Sequence, residues 1–264
     1  MGAREGIERA AARASDGTMP VARGLFDPAL EKDSCGVGFI ADIKGRKSHR
    51  IVSDGLKILL NLEHRGAVGA DPRAGDGAGI LVQTPHRFFH RKAAELGIAL
   101  PQAGYYAVGY VFMPHEPAWR RVIMDIFADV VPREGLELLG WREVPTDNAS
   151  LGYSVKPTEP FHMQVFIGRG EDIADEDDFE RRLYILRKVI SNIVYNKRER
   201  RLSGYYVVSL SCRTIVYKGM FLADQLGKYY PDLHEEDFES ALALVHQRFS
   251  TNTFPSWSAR NIPL

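Results

Sequence analysis

The chain has 264 residues, 45% of them hydrophobic, with Lys plus Arg and Asp plus Glu balanced at 34 each. That length can bury a sizeable core without staples, and a net charge of zero supplies no overall field for nucleic acid or an acidic membrane. The two cysteines, Cys35 and Cys212, are too few for a disulfide framework and show no Cys-x-x-Cys spacing, while no apolar run reaches the ~18 residues of a membrane span, so a soluble protein of a reducing cytoplasm is expected.

Residues 1–34 are rich in Ala and Arg but carry Glu5, Glu8 and Asp16, and they lack the continuous apolar block of a secretory signal. They read as a short propeptide ahead of Cys35. Val37 to Ile43 reads as a strand closed by Lys44-Gly45-Arg46. Ser48 then caps a helix whose apolar face is Val52, Leu56, Leu59 and Leu60 and which stops near Gly66. Gly66 to Gly79 is crowded with glycine and reads as a loop of unusual backbone angles or close approach. A strand at Ile80 to Thr84, a helix from Pro85 to Leu96 closed by Gly97, and a strand at Tyr105 to Phe112 follow. Next comes an amphipathic helix bearing Trp119, Val122, Ile123, Ile126, Phe127 and Val130.

The proline-containing stretch 131–160 holds one strand near Leu138 to Val144. Asp175 opens the longest helix, with Phe179, Leu183, Leu186, Ile190 and Ile193 on one face. Its acidic first turn and basic end, Lys197 to Arg201, suit the helix dipole, so the basic run reads as a solvated helix end. Tyr205 to Ser209 and Thr214 to Tyr217 look like a hairpin with Cys212, which has no evident chemical partner, in its turn. Ala241 to Phe249 is a buried strand that delivers His246, Gln247, Arg248, Ser250, Thr251 and Asn252 to its end. The pattern is mixed α and β, with no internal repeat.

Three groups could carry chemistry. Gly75-Asp76-Gly77-Ala78-Gly79 is not a phosphate loop, because it precedes a strand and lacks the Lys-Ser/Thr ending. His86 and His90 lie four apart on a helix, but with no third ligand nearby they read as an exposed helix face, and no metal site is expected. Cys35 can be a small buried hydrophobe that opens a strand. If the leader is removed, its thiol and a free α-amine share one residue; such groups ordinarily titrate at roughly 8.5 and 7.7 to 8.0, so the residue carries both nucleophile and base.

Four ordered motifs decide between these readings: Cys35-Gly36-Val37-Gly38-Phe39, Leu62-Glu63-His64-Arg65-Gly66-Ala67-Val68-Gly69-Ala70-Asp71-Pro72, Gly75-Asp76-Gly77-Ala78-Gly79-Ile80, and His246-Gln247-Arg248-Phe249-Ser250-Thr251-Asn252-Thr253-Phe254-Pro255-Ser256-Trp257. Together they resemble the class II glutamine amidotransferase domain of the glutamate synthase large chain, a branch of the N-terminal nucleophile hydrolases, from residue 35 to about residue 257. The resemblance implies an α+β fold, a four-layer α-β-β-α sandwich, incomplete at the C-terminus, with 1–34 a propeptide and 35–264 a partial domain. It implies hydrolysis of L-glutamine to L-glutamate and ammonia through a thioester on Cys35. Arg248 would grip the substrate α-carboxylate beside the Thr251 hydroxyl, and Arg65 would support the nucleophile loop. No cofactor is expected in this chain, whereas the larger enzyme of the family implies FMN and an iron-sulfur cluster. The expected partners are L-glutamine and other glutamate synthase chains, with no nucleic acid and no membrane.

One departure stands against these matches. The family draws its oxyanion hole from a later His-Asn-Gly segment, and this sequence contains no Asn-Gly dipeptide. The ending Ser258 to Leu264 does not look like the family's continuation, which leads to the expectation of a truncated chain. The competing reading is therefore a catalytically incompetent fragment that acts as an interaction module.

Overall fold

The computed structural model describes residues 36–65, with only the backbone of Arg65, together with 70–247 and 256–258. All of them belong to the unit Gly36–Leu264. Eight strands form two four-stranded antiparallel sheets. The first sheet has β1 (Gly36–Ala41), β8 (Leu242–Gln247), β2 (Ala78–Gln83) and β7 (Thr214–Gly219), in that spatial order. The second has β4 (Glu137–Glu143), β5 (Phe161–Gly168), β3 (Tyr106–Met113) and β6 (Tyr206–Ser211).

Helix α1 (His49–Asn61) lies along β1, β8 and β2. The approach is close because Gly38 has no side chain: a Cβ there would fall 2.1 Å from Cγ2 of Ile58. Helix α2 (His86–Ala94) adds Phe88 and Phe89 to a core shared by both sheets, which includes Ile80, Val82, Val245, Tyr217, Tyr106, Tyr110, Phe112 and Phe166. The opposite face of the second sheet packs Val111, Val165 and Ile167 against α3 (Pro117–Arg133) and α4 (Glu176–Asn196), through Ile123, Phe127, Phe179, Leu183, Leu186 and Ile190. The result is the mixed α+β arrangement of two antiparallel sheets expected for an α-β-β-α sandwich.

A buried polar cluster joins the sheets. Arg142 of β4 donates to both carboxylate oxygens of Asp232 at 2.7 Å and to Gln164 Oε1 at 2.8 Å. Tyr217 of β7 closes the circuit, accepting from Gln164 Nε2 and donating to Asp232 Oδ2, each at 2.8 Å. A buried ion pair is tolerable only with its remaining lone pairs and protons satisfied, and here each partner has several bonds.

Five expectations need correction. The Ser48 side chain caps nothing; its backbone instead pairs with Ser240, N to O at 3.0 Å, which ties the start of α1 to the segment that leads into β8. The segments on either side of Cys212 do not form a hairpin ladder, since β6 pairs with β3 and β7 pairs with β2. The connection crosses between sheets, held by the Glu180 carboxylate, which accepts from Ser211 Oγ at 2.7 Å, Cys212 N at 2.8 Å and Cys212 Sγ at 3.0 Å. Cys212 thus has a partner, and burial together with that carboxylate pushes its thiol up to about 12. His86 and His90 are half-buried rather than exposed, packed edge-on against Tyr106, whose hydroxyl meets His86 Nδ1 at 3.0 Å. Burial drops His86 to about 4. In the last turn of α4 the fully buried position is Val194, with Ile193 only partly covered. Asp175 stands at the start of α4 as expected, and its carboxylate caps the helix, accepting from Asp178 N at 2.8 Å.

Candidate active site

One end of the first sheet gathers three of the four sequence motifs. Gly36 of β1 is opposite Gln247 of β8, Gln247 is opposite Ala78 of β2, and Ala78 is opposite Gly219 of β7. Chain neighbours follow directly from that row. Cys35 precedes Gly36, Arg248 follows Gln247, and the Gly75-Asp76-Gly77 turn precedes Ala78. Adjacent strands lie ~4.8 Å apart, so the row spans about 14 Å. Cys35, Arg248, Thr251 and the leader lie outside the described residues, as does the side chain of Arg65, which ends the short helical turn Glu63–Arg65.

The glycine-rich turn is held by specific contacts. Gly77 has φ +146, a backbone region that side-chain-bearing residues rarely enter. The Asp71 carboxylate accepts from Ser154 N at 2.9 Å, Ser154 Oγ at 2.8 Å and Arg73 N at 3.1 Å. The Ser154 N–H is the main reason its pKa is lowered. Gln225 clamps the same turn from the other side, donating to Arg73 O at 3.0 Å and to Ser150 O at 2.8 Å. Sequence alone marks Asp71 only as a member of a motif, without a role, and does not reach Gln225, because their partners are 83 and up to 152 positions away.

A cavity of about 820 Å³ opens at this end, bordered by Asp71, Asp76, Phe112, Glu159, Met220 and Trp257 among others. Its volume falls within the ~300 to 1,000 Å³ range of small-molecule sites. Burial raises the Asp76 carboxyl, whose Oδ2 has no hydrogen-bond partner among the described residues. The Glu159 wall is braced from behind by a buried chain. Tyr229 OH donates to Glu159 Oε1 and lies 2.8 Å from His162 Nε2, while Tyr110 OH lies 3.1 Å from His162 Nδ1. Burial lowers His162 to about 3, so the ring is neutral near pH 7 and one of its nitrogens must donate. The Tyr229 hydrogen is committed to Glu159, so Nε2–H donates to Tyr229 and Nδ1 accepts from Tyr110.

Among the described residues, no cluster of three His, Cys, Asp or Glu could hold a metal ion. The exposed basic residues Arg200 and Arg201 reach the cavity mouth, and Arg201 lies over the Trp119 ring at 5.6 Å.

Comparison with known proteins accounts for the convergence at this end. Residues 35–263 match the family model for class-II glutamine amidotransferases. The chain is 45% identical over 246 residues to a glutamate synthase [NADH] of Schizosaccharomyces pombe, covering 91% of this chain and 11% of that protein. It is 44% identical over 239 residues to the glutamate synthase [NADPH] large chain of Bacillus subtilis, covering 90% of this chain and 15% of that one. A chloroplastic ferredoxin-dependent glutamate synthase of Arabidopsis thaliana is 41% identical over 233 residues, 88% of this chain and 14% of its own length. The chain therefore spans less than a sixth of these relatives. It belongs to the class-II glutamine amidotransferases, a family of enzymes.

Proposed function

We propose, from the premise of that family membership, that the chain hydrolyses L-glutamine to L-glutamate and ammonia at the Gly36–Gln247–Ala78 end of the first sheet. Cleavage between Ser34 and Cys35 frees the α-amine of Cys35, which takes the thiol proton as the sulfur attacks the side-chain amide carbon. The same proton goes to the departing nitrogen, ammonia leaves, and a glutamyl thioester remains. Water then attacks the thioester, giving L-glutamate and restoring the thiol. Arg248 suits the substrate α-carboxylate because its planar fork offers two parallel donors, with the Thr251 hydroxyl beside it and Arg65 supporting the nucleophile loop.

The observation that carries this reading is the register. The residue after Cys35, Gly36, is paired with the residue before Arg248, Gln247, and this supports a nucleophile and a clamp drawn from neighbouring strands. The adjacent cavity has room for an amino acid. The test is ammonia release from L-glutamine by the chain carrying Cys35 at its N-terminus: turnover is expected, and Cys35→Ala reduces it to background. Intact mass decides whether the leader comes off.

A second reading is an interaction module without turnover. Ammonia release no greater than that of Cys35→Ala would establish it. Amination of 2-oxoglutarate, with its FMN and iron-sulfur cluster, belongs in our proposal to polypeptide beyond this chain. Two cysteines fall short of the four thiolates that such a cluster commonly takes. That cysteine usage also supports a cytoplasmic setting, and among the described residues no helix is long and apolar enough to cross a membrane.

A further inference from the structure

We propose that the outer face of α4 is a docking surface for an acidic amphipathic helix of another polypeptide, seated on Tyr184 and Ile185 between Arg181 and Lys188. The inner stripe of α4, Phe179, Leu183, Leu186, Ile190 and Val194, is buried in the core that it shares with the second sheet and α3. Helical geometry makes 181, 184, 185 and 188 a second stripe, because residues three, four and seven apart share a face. On that stripe Tyr184 is 60% and Ile185 43% exposed, and a hollow of about 370 Å³ lined by Glu180, Arg181, Tyr184 and Ile185 opens beside them. Single exposed apolar residues are ordinary, but a neighbouring aromatic and aliphatic pair bordering a hollow has the form of an anchor site.

The charge along this stripe is of one sign. From Arg181 to Arg198 the sequence carries six cations and no Asp or Glu, although the chain as a whole balances at 34 each. Arg187 donates to Val207 O at 2.9 Å, which leaves Arg181, Arg182 and Lys188 as the exposed cations around the apolar pair. Lys188 Nζ stands 5.5 Å from the Tyr184 ring centroid, and Arg181 reaches Asp178 at 3.3 Å, an exposed pair of the kind that contributes little. The carboxylate that lines the hollow, Glu180, is committed elsewhere, its Oε1 accepting from Ser211 Oγ and Cys212 N. The stripe rises about 10 Å from Arg181 to Lys188, so two turns of helix separate its cations. Its complement is a helix with one or two apolar residues on one face and a carboxylate a turn to either side.

A second copy of the chain fits this face poorly. In an antiparallel two-fold pairing centred between 184 and 185, Arg181 of one copy meets Lys188 of the other, and a parallel pairing sets each cation against itself. An anionic lipid surface fits poorly too, because the wide apolar face that an interfacial helix inserts is here buried in the protein core.

The test uses the full chain and two synthetic alanine-based helices of ~20 residues, identical except that the flanking residues are glutamate in one and lysine in the other. Each carries two leucines four apart, a flanking residue one turn beyond each, and a terminal fluorophore for anisotropy. The glutamate peptide is expected to bind saturably at low salt, and the lysine peptide about 10-fold more weakly. Tyr184→Ala with Ile185→Ala should weaken the glutamate peptide about 10-fold, with the urea midpoint showing that the fold is kept. Arg181→Glu with Lys188→Glu should reverse the preference, so that the lysine peptide binds the tighter. Absence of saturable binding, equal binding of the two peptides, or binding unmoved by the Tyr184 and Ile185 change overturns the proposal. Self-association that the Tyr184 and Ile185 change abolishes assigns the face to a second copy and overturns it as well. Co-sedimentation with phosphatidylserine vesicles that is lost in Arg181→Glu with Lys188→Glu assigns the face to lipid, with the same result.

Discussion

Every side chain of β3 is buried, between α3 and α4 on one face and the core shared with the first sheet on the other, whereas β1 leaves Val37 49% and Phe39 63% exposed. The two strands lie in sheets of equal size, yet one is a closed interior and the other borders the proposed chemistry. In the second sheet, stability comes from continuous apolar burial, and a strand covered on both faces reads as an unbroken hydrophobic run. At the end of the first sheet the chain spends its contacts on position. Asp71 and Gln225 hold a turn, and Trp257 fills the space above a glycine.

The largest expected effect breaks the link between the two regions. Asp232→Ala leaves Arg142 charged and buried, with side-chain exposure of 6% in the native pair, and should cost about 3 to 5 kcal/mol in urea unfolding. Replacing both partners with apolar residues, Arg142→Met with Asp232→Leu, should recover much of that loss. A double variant no more stable than the single one would show that the polar circuit, rather than the unpaired charge, sets the stability.

His162 sharpens the contrast through pH. Burial holds its folded value at about 3, below the unfolded value of 6.5, so the unfolded chain binds the proton first as acid is added. This contribution is fully present above pH 6.5 and is lost as pH falls toward 3, with a slope approaching ~1.4 kcal/mol per pH unit. Unfolding measured at pH 7, 6 and 5 should follow that slope, flattened in His162→Gln. An imidazole resonance titrating near pH 6.5 in the folded chain would contradict the buried chain of bonds to Tyr110 and Tyr229.

The smallest effect is confined to the closed region. Asp175→Ala removes the acceptor for Asp178 N and should destabilise by about 1 kcal/mol, leaving ammonia release at the Cys35 end untouched. Loss of both together would mean that the two regions do not separate as described.

Much of this was legible along the chain. The periodicity of α4 with its start at Asp175, the apolar β3, and the strand after the glycine-rich turn are local patterns, and each recurs in the structure within a few residues of expectation. The motifs around Cys35, Arg65, Asp76 and Arg248 pointed to the family that the comparison shows. The error in strand pairing has a simple cause. Two strands joined by a short turn, β6 and β7, were read as partners because nearness in sequence is the only nearness that a sequence displays.

Residue order alone pointed to most of the strands and helices, though not to β5, to where α4 begins, and to the chemical family of the Cys35 and Arg248 motifs. Tertiary structure decided that β7 leaves β6 for another sheet, that Arg142 finds Asp232 ninety positions away, and that Trp257 settles over Gly219 beside Thr158. The physical reason is range. Backbone preference and apolar period act over a few residues, whereas ion pairing, ring packing and strand register are settled only when distant segments compete for the same buried space.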